Sequence, residues 1–122
     1  MSDPVERLRQ VCLALPEATE RPSHGEPSFF VRDKKQFVML DTHHHGAEHL
    51  GFWCPAPAGV QDALIARDPE QYFRPPYVGH RGWVGVRIDG EPDWTEIAEL
   101  VRDAYRQVAP KGLIALLDEA EA

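Results

Sequence analysis

The longest regular pattern in the chain lies between Asp93 and Pro110, where Trp94, Ile97, Val101, Ala104, Tyr105 and Val108 recur at three- and four-residue steps. Asp93 is a good N-cap and Pro110 a stop, so the pattern predicts a helix near 94–108. Its apolar stripe must be buried against another part of the chain, because a helix of this length draws most of its stability from packing. The preceding segment offers a partner. In Trp83-Val-Gly-Val-Arg-Ile88, alternation sends Val84, Val86 and Ile88 to one side and Trp83, Gly85 and Arg87 to the other, as in a strand with one face on a core.

The other elements fit that frame. Asp3 caps a first helix near 3–15, with Pro4 in its first position, Glu6 completing an Asp-x-x-Glu capping box, and Val5, Leu8, Val11, Cys12 and Leu15 as its stripe. Pro16 ends it. After a polar connection, Ser28-Phe-Phe-Val-Arg32 and Gln36-Phe-Val-Met-Leu40 flank Asp33-Lys34-Lys35, a hairpin signal without the usual glycine. His49 to Cys54 predicts a third strand with Leu50, Phe52 and Cys54 inward, and Val60 to Arg67 a short helix. Tyr72 to Val78 reads as an extended segment at a sheet edge or as an irregular approach to one, since Pro75-Pro76 cannot donate to a ladder, and Gly79-His-Arg-Gly82 as a turn. Leu113 to Leu117 adds one or two helical turns. The order predicts an α+β fold, a single antiparallel sheet with two long helices and one or two short helices on one face. With 122 residues, 43% of them apolar, the chain has material for one core and one domain over 1–122.

Several classes are excluded at this point. Nothing approaches the roughly 18 consecutive apolar residues of a membrane span, and Met-Ser-Asp-Pro-Val-Glu lacks the basic-then-apolar order of a signal peptide, so a cytoplasmic location with no membrane partner is expected. Cys12 and Cys54 are too few for a disulfide framework or a four-thiolate metal site. Thirteen basic against 20 acidic residues give a net charge of −7, unusual for a protein whose task is gripping phosphates. Yet residues 73–88 hold Arg74, Arg81 and Arg87 with no carboxylate, which leaves room for a local basic patch.

His24-Gly25-Glu26-Pro27-Ser28-Phe29, the run from Pro76 to Val84, Asp93-Trp94, and Tyr105 with Ala109-Pro110-Lys111 together resemble the MmcQ/YjbR family of small bacterial proteins, over roughly residues 8 to 116. The resemblance implies a compact α+β domain related to secretion-chaperone-like and double-wing folds. It also implies DNA binding, and brings no catalytic residue set.

Each cluster of chemistry-bearing residues has a bland reading beside the functional one. Lys34-Lys35 and His80-Arg81 suit two basic wing tips, with Arg32, Arg74 and Arg87 alongside, because guanidinium donors meet phosphate oxygens in pairs; exposed turns are also charged in any protein. Phe29, Trp53, Tyr77 and Trp83 could line a pocket for a flat ligand or stack bases; burial is the simpler account, with burial and partial exposure both open for Trp83 on the face opposite Val84, Val86 and Ile88. His43-His44-His45 with His49 could hold a divalent metal, but the spacing matches no regular ligand motif, so neither a metal nor a cofactor is expected. No nucleophile elbow, phosphate-cradling loop or His-Glu-x-x-His motif is present, and an imagined His24/Glu26 acid–base pair lacks a third group, so the chain is read as a non-enzyme. Three readings stand: a weakly DNA-binding module, a protein that binds a small aromatic ligand, and a protein-interaction adaptor.

Overall fold

Asp3 starts the first helix as its sequence predicts: the carboxylate accepts the Val5 N–H at 3.0 Å, and α1 runs Pro4–Leu13. Glu6 pairs with Arg9 at 2.7 Å. The computed structural model describes residues 3–42 and 50–121, and in chain order α1 is followed by β1 (Ala18–Ser23), β2 (Glu26–Val31), β3 (Lys35–Thr42), β4 (Leu50–Cys54), α2 (Val60–Arg67), β5 (Tyr72–Phe73), β6 (Val84–Arg87), α3 (Trp94–Val108) and α4 (Lys111–Glu121). The strands form one antiparallel sheet in the order β1-β2-β3-β4-β6-β5. No helix among the described residues is long and apolar enough to cross a membrane.

Two elements depart from expectation. Residues 18–23, read as a polar connection, are the edge strand β1. An edge strand has one neighbour and one wet side, so Glu20, Arg21 and Pro22 can occupy it without apolar alternation. His24-Gly25 joins it to β2 with both residues at positive φ (53° and 79°), a two-residue turn of the kind that matches strand twist. The second surprise is α4, expected to be one or two turns but 11 residues long. Leu113 and Leu117, four residues apart, are buried, and α4's acidic end is tied back to α3 by Arg106 on Asp118 (2.9 Å) and Glu121 (2.7 Å) and by Arg102 on Glu121 (2.8 Å). Carboxylates near a helix C-terminus oppose the helix dipole, so only these cross-helix partners make the segment a good helix end.

The β2–β3 hairpin turns without glycine. Arg32 and Asp33 both take positive φ (52° and 59°), closed by Lys34 N–H on Val31 O at 3.0 Å. Such backbone costs about 1 kcal/mol or more per non-glycine residue, and ion pairs brace it: Asp33 with Arg21 at 2.6 Å, Arg32 with Glu17 at 3.1 Å.

The main core lies between the sheet and the helices. Phe29, Val31, Phe52, Cys54, Val84, Val86 and Ile88 meet Leu8 and Cys12 of α1, Ile97, Val101 and Ala104 of α3, and Leu113 and Leu117 of α4. Tyr105 stands edge-on to Phe37 with ring centroids 5.6 Å apart, and its hydroxyl donates to Pro16 O at 2.7 Å. The expected register of β6 holds: Val84, Val86 and Ile88 are fully buried on the helix side. Trp83 therefore points to the other face, where a second cluster forms.

Candidate functional site

The same period-two logic that fills the core supplies the site. β4 sends Phe52 and Cys54 to the helices and Trp53 away from them; β6 does the same with Trp83 and Gly85. Met39 is paired with Trp53 across β3 and β4, and Trp53 with Gly85 across β4 and β6. A bulge completes the arrangement. Phe29 pairs with Val38 but Phe30 with Gln36, so β3 carries an extra residue, Phe37. Strict alternation from Met39 would put Gln36 on the helix side; the inserted residue returns it to the second face, the re-aiming that bulges perform beside binding sites.

The segment after β5 folds back over this face. Past Pro75-Pro76, Tyr77 takes φ +67°, and Gly79–Arg81 form a single 3-10 turn ended by Gly82 at φ +84°. Gln61 of α2 holds both ends of that turn, donating to the carbonyls of Gly79 (2.9 Å) and Trp83. It is buried, and sequence reasoning passed it over because one glutamine on a short helix carries no pattern. The Arg74 stem lies against Gly79, where a Cβ would come within 2.6 Å of Arg74 Cγ.

The result is a cavity of about 430 Å³ lined by His24, Gln36, Met39, Trp53, Tyr77, Val78, Arg81 and Trp83. Trp53 and Trp83 are 2% and 7% exposed and form its wall, whereas Tyr77, 73% exposed, stands at the mouth. The Arg81 guanidinium carbon sits 5.6 Å from the Trp83 ring centroid, within cation–π range. Gln36 Nε2 is buried and has no hydrogen-bond partner among the described residues. Among the described residues, no carboxylate lines the cavity.

Of the aromatic candidates, Trp53, Tyr77 and Trp83 converge here. Phe29 does not: it is fully buried on the helix side. Trp83, for which the sequence leaves burial and partial exposure both open, is buried because the 77–82 segment covers the second face. The basic candidates disperse. Arg32 is paired with Glu17 (3.1 Å); Arg87 donates to the carbonyls of Pro69 (3.3 Å) and Glu70 (2.6 Å) and stacks on Phe73; Arg74 Nη1 lies 3.5 Å from Gln61 Oε1. Lys34, Lys35 and His80 are exposed, and Arg81 lines the cavity.

Beside Arg87 a wider, more open groove of about 850 Å³ is walled by Asp68, Glu70, Asp89, Glu91 and Asp93. The imagined His24/Glu26 pair is divided between two tasks. His24 lines the aromatic cavity, whereas buried Glu26 accepts both the N–H and the hydroxyl of Thr42, each at 2.7 Å. Burial pushes the Cys12 and Cys54 thiols up, which keeps them protonated and unreactive inside the core. The histidine run at 43–45 and 49 lies outside the described residues, among which no cluster of three metal-ligating side chains occurs.

A family model described as YjbR matches residues 13–107, a span that contains every residue of the cavity. The chain belongs to the YjbR family. A solved structure similar to this YjbR protein is that of Deinococcus radiodurans protein DR2400, whose domain is described as DUF419, with a TM-score of 0.73 and 22% identity over 92% of this chain and 85% of that one. The likeness establishes the shared fold, four helices and an antiparallel sheet. No curated protein matches the chain.

Proposed function

We propose that this YjbR protein binds a flat aromatic small molecule between Trp53, Trp83 and Tyr77, and that it binds without turnover. The observation that carries the reading is the convergence of three aromatic side chains, from β4, β6 and the loop after β5, on one cavity of about 430 Å³. That size falls in the range of about 300–1,000 Å³ usual for small-molecule sites, which combine apolar walls with a few polar groups. The backbone of Tyr77 adds weight, since a bulky residue at φ +67° is strained by about 1–3 kcal/mol and strain of this kind gathers at ligand clamps. The described lining offers ring planes, donors and the His24 imidazole, which is equipment for recognition. Intrinsic tryptophan fluorescence titrated with one- and two-ring aromatics tests this directly. Saturable quenching is expected, weakened about tenfold or more by Tyr77→Ala at unchanged melting temperature, since base-like stacking on one aromatic is worth about 1–3 kcal/mol. A fluorescence signal that no compound saturates ends the reading.

DNA binding is the second reading, favoured by one observation. Gln36 and Arg81 share the cavity, so the β2–β3 hairpin carrying Lys34 and Lys35 and the 3-10 turn carrying His80 and Arg81 flank the same face. Phosphates crossing that face would meet both turns.

A further inference from the structure

Resting on the small-molecule reading above, we propose that the ligand is an aromatic anion, a planar ring bearing a carboxylate or phosphate, whose charged group is held by Arg81 while the ring lies against Trp83. The charge of the cavity runs against that of the molecule. The chain carries 20 acidic and 13 basic residues, yet among the described residues the cavity wall includes Arg81 and His24 and no carboxylate. Low-dielectric aromatic walls concentrate the field of a fixed cation, so this is where an anion from solution is drawn on an otherwise acidic protein.

Arg81 is also available. Arg9, Arg21, Arg32, Arg67, Arg102 and Arg106 are each engaged with a carboxylate, and Arg87 with two carbonyls. Among the described residues, the Arg81 side chain has only the Trp83 ring. A guanidinium parked over an indole keeps its five donors directed outward in a plane, and a carboxylate or phosphate oxygen pair matches that fork. The 3-10 turn supplies rigidity, because Gln61 clamps the carbonyls on either side of Arg81.

Gln36 gives the ligand's other end a role. Its amide lines the same cavity with a buried N–H that has no partner among the described residues. A ring nitrogen or carbonyl oxygen opposite the anionic group would give that donor an acceptor, and buried donors are seldom left without one. The ligand class is thus a flat ring, anionic at one end and hydrogen-bond accepting at the other.

Two matched pairs of probes separate the parts of the proposal: naphthalene-2-carboxylate against naphthalene-2-carboxamide, and adenosine monophosphate against adenosine, titrated into the full chain by fluorescence and calorimetry. In at least one pair the anion is expected to bind tenfold or more tightly than its neutral partner, and the pair that shows the gap tells carboxylate from phosphate. Arg81→Gln, an exposed position whose change leaves the fold intact, should bring the anion down to the neutral compound, and Arg81→Lys should keep part of the difference. Gln36→Leu should weaken adenosine monophosphate while leaving naphthalene-2-carboxylate, which has no second acceptor, unchanged. Equal binding of anion and neutral partner in both pairs, or an Arg81→Gln variant indistinguishable from wild type, overturns the anion assignment and leaves the aromatic pocket standing. If none of the four compounds binds, the pocket reading falls with it.

Discussion

At the scale of single residues, two glycines permit the site. A Cβ on Gly51 would lie 2.6 Å from Val86 O, part of the neighbouring strand's backbone, and one on Gly85 would lie 2.3 Å from the Phe73 ring. Backbone cannot yield without spreading β4 from β6, whereas a half-buried ring can swing aside. Gly51→Ala is therefore expected to cost about 3 kcal/mol and Gly85→Ala about 1 kcal/mol in urea unfolding. The reverse order would show that Phe73 is the fixed partner. Alternation in the sequence places Gly85 beside Trp83, but the Phe73 ring reaches that spot from a strand that only the fold brings alongside.

At the scale of elements, one polar network ties α2, β5 and α3 together. Glu96 accepts from the Tyr72 hydroxyl and from Arg67, and its carboxyl is held below the usual carboxylate range, first by the Tyr72 hydrogen bond and then by Arg67. A depressed carboxyl contributes stability above its unfolded pKa of about 4.3, and that contribution is lost as pH falls through the lower folded value. Tyr72 shifts the other way, pushed up by burial and then by Glu96. Its contribution is fully present below the unfolded value of about 10 and is lost as pH rises from there through the raised folded value, because in that window only the unfolded tyrosine ionises. Melting temperature against pH should therefore fall less steeply on the acid side for Glu96→Gln and on the alkaline side for Tyr72→Phe. Acid limbs of equal slope in wild type and Glu96→Gln would remove Glu96 from the account. Helix α4 offers a separate check. Leu117 is 5% exposed, so Leu117→Ala should cost about 2–4 kcal/mol, and a loss below about 0.5 kcal/mol would mean the helix is not anchored.

At the scale of the whole molecule, charge is divided. Acidic side chains gather at the groove formed by Asp68, Glu70, Asp89, Glu91 and Asp93, while none of the described residues walling the aromatic cavity is acidic. If duplex DNA binds, it must do so on the cavity side and against a net charge of −7. Replacing Lys34, Lys35 and Arg81 together with Glu is then expected to weaken labelled duplexes of every sequence alike and to flatten the salt dependence, since phosphate contacts release counterions without reading bases. Equal binding by wild type and this triple variant takes the two turns out of the argument, and a wild type that does not bind at low salt removes the DNA reading altogether.

Sequence alone determined the parts governed by local period and caps. Asp3 and Asp93 start their helices, Val84, Val86 and Ile88 face the core, and Trp53 and Trp83 share the face opposite it, because i, i+2 and i, i+4 relations are properties of the chain itself. What only the tertiary structure decided are relations between segments far apart. Strand β1 exists because β2 offers it an edge, and α4 extends because Arg102 and Arg106 neutralise its acidic end. The candidate site belongs to this second kind. His24, Gln36, Trp53 and Arg81 come from four separate stretches, and they meet through a bulge at Phe37 and a turn clamped by Gln61. Neither feature leaves a local mark, since a bulge is a register relation between two strands and a buried glutamine is defined by the carbonyls that happen to surround it.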